Sequence, residues 1–176
     1  MSMQVFSAVY AAALMEIARE DGTGKLIFDE LNSLSELVSG SPELNEVLCS
    51  PTFSEDEKYD VAESLFKGKL SRTVLNFLYV LIEEGRTSGL SDIASDYKRL
   101  YYEQEGITEA VVTTAAGMSR DAAEKLKAKL EAKYKKKVLL SEKTDPSIMG
   151  GVIVRVGDEM IDGSLRTKLD RIGKQM

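Results

Sequence analysis

Three clusters of polar side chains in the chain could support chemistry, and the first is a set of carboxylates near its C-terminal end. Asp158, Glu159 and Asp162 lie within one short stretch, and hard divalent cations prefer carboxylate oxygens. A metal-dependent enzyme is therefore one hypothesis. However, Asp158 follows a glycine at a predicted hairpin, and Asp162 precedes Gly163-Ser164 at a predicted helix start. Both are ordinary positions for aspartate. We expect these carboxylates to serve a turn and a cap, without a metal.

The second cluster, Gly22-Thr23-Gly24-Lys25, looks like a fragment of a phosphate-binding loop. Such a loop needs a glycine five residues before the second glycine here, and a serine or threonine after the lysine. Those positions hold Arg19 and Leu26. The segment also joins two predicted helices, whereas a phosphate loop joins a strand to a helix. It therefore predicts a turn that ends a helix, and no nucleotide cofactor.

The third cluster is the basic run Lys133–Lys137, which contains Tyr134. Clustered lysines are how affinity for a phosphate backbone begins, so a nucleic-acid-binding accessory protein is an alternative function. The run is short, and the chain has a net charge of −6. A solvated helix end, where lysines also suit the helix dipole, is the simpler interpretation, and we expect no nucleic acid partner.

Composition restricts catalysis further. The chain of 176 residues has no histidine, no tryptophan and a single cysteine, Cys49. These absences exclude Ser-His-Asp and Cys-His catalysis, the usual zinc ligand sets and a disulfide framework. Cys49 has no second thiol or base near it in sequence, so we interpret it as a small packing residue. The sequence predicts a protein without a catalytic site, cofactor or metal.

The predicted helices and strands that position these residues form two domains, which differ in the spacing of their apolar residues and in net charge. Residues 1–105 carry 19 acidic and 9 basic side chains, and residues 106–176 carry 10 and 14. Glycine, proline and capping serines divide the first domain into six short helices, which predicts a helical bundle. These helices are expected over residues 4–20, 25–39, 42–48, 54–67, 71–84 and 88–105.

After Gly106 the pattern changes to that of a small α+β domain. Residues 107–115 are rich in valine and threonine and predict a strand. Ser119 is expected to cap a helix to Tyr134, and residues 138–141 predict a short strand. Alternating valines at 152–156 and a turn at Gly157 predict a hairpin. Leu165, Leu169 and Ile172 have the spacing of a final helix. The predicted fold class is thus mostly α, a six-helix bundle followed by a small α+β domain.

Two helices of the first domain are more apolar than a bundle helix needs to be. Between Val5 and Ala18 only Ser7 and Glu16 are strictly polar, and between Val74 and Ile82 only Asn76 is. A helix that is apolar all round is either fully buried or presents a second apolar face to a partner. A domain of this size has too much surface to bury two such helices completely. The pattern favours an apolar groove that accepts an amphipathic helix.

Several segments resemble the F-type ATP synthase delta subunit family, whose mitochondrial member is the oligomycin-sensitivity-conferring protein. The most specific is residues 138–157, VLLSEKTDPSIMGGVIVRVG, and the likeness covers the whole chain. Val9 departs from the pattern, because many relatives carry a basic residue there. The other segments that carry the resemblance are Ile161–Ser164 with Arg166, Tyr10-Ala11, Ala13-Leu14, Ala18, Leu75–Leu78, Leu81 and Arg86.

The resemblance implies a non-catalytic stator subunit in the peripheral stalk of a proton-translocating ATP synthase. Residues 1–105 would bind the N-terminal helix of an alpha subunit of the catalytic head, in a groove between the first and fifth helices. Residues 106–176 would bind the C-terminal region of the b subunit. No apolar run approaches the ~18 residues of a membrane span. The resemblance implies a peripheral location on the cytoplasmic face of the cell membrane, with membrane contact only through partner subunits.

The residues expected to form the groove and its support come from the two helices that are too apolar. Helical spacing brings the members on each helix to nearby faces, but it does not say which of them point inward. The candidate partner-binding residues are Tyr10, Ala13, Leu14, Ile17, Phe77, Leu78 and Leu81.

Overall fold

The computed structural model describes residues 3–148, 150–157 and 159–163. The chain divides into two units, Met1–Tyr101 and Tyr102–Met176, so the border lies inside a helix and before the predicted boundary at Gly106. A single 3-10 turn, Thr87–Gly89, precedes the last helix that begins in the first unit. The helices are α1 (Met3–Asp21), α2 (Gly24–Gly40), α3 (Pro42–Cys49), α4 (Glu55–Phe66), α5 (Arg72–Glu83) and α6 (Leu90–Glu105).

Capping residues set the helix ends where the sequence predicts them. Ser54 and Glu57 form the predicted capping box: the Ser54 hydroxyl accepts from the Glu57 amide at 3.3 Å, and the Glu57 carboxylate accepts from the Ser54 amide at 2.8 Å. At the start of α5 the Ser71 hydroxyl accepts from the Val74 amide at 3.4 Å, and the Ser71 amide donates to the Glu30 carboxylate of α2 at 2.9 Å. These bonds satisfy amides that a helix start otherwise leaves unpaired.

The core of the first unit is built from the inner faces of its helices. Ile27, Leu31 and Leu34 of α2 are at most 1% exposed. From α6, Tyr97 is fully buried and its hydroxyl donates to the Gly24 carbonyl at 3.2 Å. Burial raises the pKa of Tyr97 to about 12. This hydrogen bond fixes the start of α2 against α6, because a buried hydroxyl needs a partner.

The second unit is a four-stranded sheet in the order β2-β1-β3-β4. β1 (Ile107–Thr114) pairs with β2 (Lys137–Thr144) in parallel, and α7 (Arg120–Tyr134) makes the crossover that parallel strands require. β3 (Val152–Val156) pairs antiparallel with β1 and with β4 (Glu159–Asp162). β2 is longer than the predicted 138–141, because pairing along all of β1 extends it through polar residues.

One face of this sheet packs on α7. Ala110, Val112, Val138 and Val154 are at most 5% exposed and form a cluster with Leu130 of α7. The predicted cap is present, since the Ser119 hydroxyl accepts from the Ala122 amide at 3.4 Å. The predicted final helix with Leu165, Leu169 and Ile172 lies outside the described residues.

Across its described residues the molecule is mostly α-helical, with a small four-stranded sheet toward the C-terminal end. That agrees with the predicted fold class at this level. No helix in the described part of the chain is long and apolar enough to cross a membrane.

Candidate functional site

α1 buries one face and presents a second apolar face at the surface. Tyr10, Ala13 and Ile17 follow each other at three- and four-residue spacing, so they share one side of the helix. Ala13 is exposed, Tyr10 is half-buried, and the side chain of Ile17 is 43% exposed. The residues that follow each of these three in sequence lie about 100° further around the helix and form its buried face. That face comprises Ala11, Leu14 and Ala18, which are at most 3% exposed.

α5 has a similar division between a buried face and a surface-exposed flank. Leu78 and Leu81 are completely buried, and Phe77 is 7% exposed. Val80, one position before Leu81, is 42% exposed. Most large apolar side chains of α5 therefore lie in the core, whereas that of Val80 is partly exposed at the surface.

A ladder of aromatic rings joins α1 to α5. The Phe6 and Tyr10 rings are 4.4 Å apart between centroids, and the Tyr10 and Phe77 rings are 6.0 Å apart. The Tyr10–Phe77 separation lies within the range of attractive ring contacts, and the Phe6–Tyr10 separation lies at its lower edge. We call the surface formed by Phe6, Tyr10, Ala13, Ile17, Phe77 and Val80 the α1–α5 surface.

The structure sorts the predicted site residues into two groups. Tyr10, Ala13 and Ile17 reach the α1–α5 surface, and Phe77 closes it from below through its contact with Tyr10. The others lie in the core beneath, as support. This second group comprises Leu14, Leu78 and Leu81.

As site residues, sequence reasoning missed two members of this surface and one neighbour at its edge. Val80 belongs to the run that was recognised as too apolar, yet spacing alone did not show its exposure. Phe6 begins the aromatic ladder. Arg86 lies with its guanidinium carbon 4.6 Å from the centre of the Phe6 ring. The exposed parts of the α1–α5 surface are mainly ring faces and aliphatic side chains, which suits the binding of another apolar face.

The basic run Lys133–Lys137 is divided among several structural roles. Lys133 donates to the Glu159 carboxylate at 2.8 Å, and the Tyr134 hydroxyl donates to the same carboxylate at 2.6 Å. These hydrogen bonds raise the pKa of Lys133 and lower that of Glu159. Lys135 adopts the left-handed conformation that ends α7. The pairing of Lys133 with Glu159 leaves one lysine of the run less available to a phosphate backbone, whereas the cap at Lys135 involves only its backbone.

The remaining candidates from the sequence are the C-terminal carboxylates, the glycine-containing turn after α1, and Cys49. In the described ranges no group of three histidine, cysteine or acidic residues could hold a metal ion, and Asp158 lies outside them. Gly22 has a φ of +67° and ends α1 in the predicted turn. Cys49 is half-buried at a cleft of about 200 Å³.

An apolar concavity lies between α2, α3 and α4. Its volume is about 590 Å³, and charged side chains enter its lining only at Glu43 and Lys69. Leu37 and Leu65 in its walls are 56% and 40% exposed. The first unit therefore has more than one apolar surface.

Comparison with known proteins identifies the family. The family model described as ATP synthase delta (OSCP) subunit matches residues 7–176. The ATP synthase subunit delta of Clostridioides difficile is 34% identical over 175 residues, which cover 99% of this chain and 97% of the relative. This chain belongs to the ATP synthase delta (OSCP) subunit family. A second delta subunit, from Brevibacillus brevis, is 36% identical over 94% of this chain and 95% of its own length.

Solved structures share the fold of this delta-family chain. A chain in the cryo-EM structure of the Toxoplasma gondii mitochondrial ATP synthase hexamer superimposes with a TM-score of 0.75, at 23% identity, over 96% of both chains. A chain in a Polytomella F-ATP synthase structure matches 53% of this chain and 83% of its own length, with a TM-score of 0.51 and 24% identity. At these identities the likeness concerns the fold alone.

Proposed function

We propose that this chain is a non-catalytic stator subunit of a proton-translocating F-type ATP synthase. Residues 1–105 bind the N-terminal helix of an alpha subunit of the catalytic head, and residues 106–176 bind the C-terminal region of the b subunit. The chain thereby links the head to the peripheral stalk. It is held at the cytoplasmic face of the cell membrane through its partner subunits.

The observation that carries this proposal is the α1–α5 surface in a member of the delta family. Tyr10, Ala13, Ile17 and Val80 place apolar atoms at the surface along two neighbouring helices. An amphipathic helix recognises such a surface through apolar anchors at positions i, i+3, i+4 and i+7. The small side chain of Ala13 lets a helix backbone approach closely, while Leu14 and Leu81 hold the two helices from beneath.

A stator subunit resists torque by binding its partners tightly, and it needs no active site for that role. The apolar residues of the α1–α5 surface suit such binding. The described residues of the α1–α5 surface supply ring faces and aliphatic side chains to a partner. Residues 1–105 have an excess of acidic side chains and residues 106–176 an excess of basic ones, so the two parts favour partners of different charge.

The test is calorimetric titration of the full-length chain with the N-terminal peptide of the alpha subunit from the same organism. Ala13→Arg places a long charged side chain on the α1–α5 surface and should abolish saturable binding. Ala12→Arg is the matched control, because Ala12 is also exposed but lies about 100° around the same helix. Equal binding by both variants, or no binding by the unchanged chain, would contradict the proposal.

A further inference from the structure

Arg86 is held in place at one end of the α1–α5 surface. α5 ends in a glycine-based turn: Gly85 has a φ of +63°, and the Arg86 amide donates to the Leu81 carbonyl at 2.8 Å. This is the hydrogen bond by which a left-handed glycine closes a helix end. The backbone of Arg86 is therefore fixed relative to a completely buried residue of the core.

The side chain of Arg86 lies on the face of Phe6. Its guanidinium carbon lies 4.6 Å from the ring centre, within the range of a cation–π contact. Gly89 confines the same ring, because a Cβ at that position would lie 3.1 Å from a Phe6 carbon. Arg86 thus presents a preorganised cation beside the first ring of the aromatic ladder.

Arg86 retains capacity for an additional anionic partner. Its side chain is 48% exposed, and the Glu84 carboxylate approaches it only to 4.0 Å. A guanidinium has five N–H donors in a planar fork that suits a carboxylate. A carboxylate on a helix docked beside Phe6 could therefore make a direct bond that Glu84 does not make at this distance.

The opposite end of the surface has a different charge. α1 and α5 run antiparallel here, because Phe6 lies by Arg86 while the later Tyr10 lies by the earlier Phe77. From Glu16 onward, the C-terminal part of α1 carries exposed acidic side chains together with Arg19, and the exposed Arg72 begins α5 at the same end. The acidic residues of this part are Glu16, Glu20 and Asp21.

We propose that Arg86 is a specificity-determining residue, which pairs with a carboxylate of the docked helix and fixes the direction in which that helix lies. The inference rests on the proposed function. An apolar stripe alone tolerates a helix in either direction, or displaced by a turn. The guanidinium of Arg86 on the face of Phe6 offers a docked carboxylate a partner at one end of the stripe, which makes one direction and one register more favourable.

The experiment uses the full-length chain, its variants and the alpha-subunit N-terminal peptide in calorimetric titrations at low and physiological salt. Arg86→Gln should raise Kd about fivefold, the upper value for an exposed ion pair, and flatten the dependence of Kd on salt. Arg86→Lys should recover part of the loss. Arg72→Gln is the matched control, since it removes one exposed positive charge at the other end of α5 and should change Kd less than about twofold.

Peptide variants then identify the pair. Each peptide carboxylate is replaced singly by its amide and titrated into the unchanged chain and into Arg86→Gln. We expect one replacement to raise Kd on the unchanged chain and to have no further effect on the Arg86→Gln variant. This non-additivity is specific to a pair in contact.

The outcomes separate the two proposals. If the unchanged peptide does not bind the unchanged chain, the proposed function fails and this inference fails with it. If the peptide binds but Arg86→Gln and Arg72→Gln behave alike, or every peptide replacement is additive, only the role of Arg86 is overturned. A bound peptide with no carboxylate at all overturns it equally. Thermal unfolding of each variant shows whether the fold is retained.

Discussion

Truncating the exposed aliphatic side chains of the α1–α5 surface should weaken binding by an amount that their exposure sets. Ile17 and Val80 are 43% and 42% exposed. Burying an aliphatic side chain completely contributes about 1.5–3 kcal/mol, so covering the exposed two fifths contributes about 1 kcal/mol for each residue. Alanine in place of either should raise the Kd of the alpha-subunit peptide about fivefold. The double variant should raise it about 25-fold if the two effects are additive.

Calorimetric titration of the full-length variants measures these changes, with Leu26→Ala as the matched control. Leu26 is 48% exposed but lies on α2, outside the α1–α5 surface, so its truncation should leave Kd unchanged. The buried three fifths of each side chain also stabilise the fold, so each truncation should lower the free energy of unfolding by about 1 kcal/mol. Thermal unfolding shows that the variants remain folded at the titration temperature. Binding that is unaffected by Ile17→Ala and Val80→Ala together, or reduced as much by Leu26→Ala, would refute the reasoning.

Three further predictions concern stability. Ser54→Ala removes the capping box of α4 and should destabilise the first unit by about 1 kcal/mol; a chemical denaturation curve that matches the unchanged chain would contradict this. The hydrogen bonds from the Ser54 amide and hydroxyl lower the pKa of Glu57 in the folded chain. The stability that they contribute is therefore complete above the pKa of glutamate in the unfolded chain, and it is lost as the pH falls through the lower pKa of the folded chain. Denaturation midpoints measured between pH 3 and pH 6 should show this loss of stability, and the loss should be smaller in Glu57→Gln. Leu78→Ala should cost about 2–5 kcal/mol, because Leu78 is completely buried, whereas a loss below about 1 kcal/mol would mean that it is not a core residue.

The sequence could predict that α1 and α5 are unusual, because an excess of apolar residues is visible in the order of residue types. It could not assign faces, because helical spacing gives angles between side chains but not the position of the core. Leu14 and Ala13 are neighbours in sequence, yet the first is buried and the second is exposed. Val80 and Leu81 differ in the same way. Only the packing of other helices decides which side is covered.

Tertiary contacts also explain the differences in element and unit boundaries. β2 extends to Thr144 because β1 offers a parallel partner along that whole length, although the residues after Ser141 are polar. The border between the units lies before Gly106 since Tyr101, which stacks on Phe28 at 4.9 Å, belongs to the first unit. Caps such as Ser54, in contrast, depend on residues three positions apart, and such local patterns are readable from sequence.

The most direct test of the central claim is a photo-crosslinking experiment in the assembled ATP synthase. A benzophenone amino acid is introduced at Val9, which is 58% exposed on α1 beside the α1–α5 surface, or at Leu26 as the control. We predict that illumination links the Val9 position to the N-terminal segment of an alpha subunit, and that the Leu26 position gives no such product. An assembled complex in which the Val9 position links only to other chains, or to none, would contradict the account.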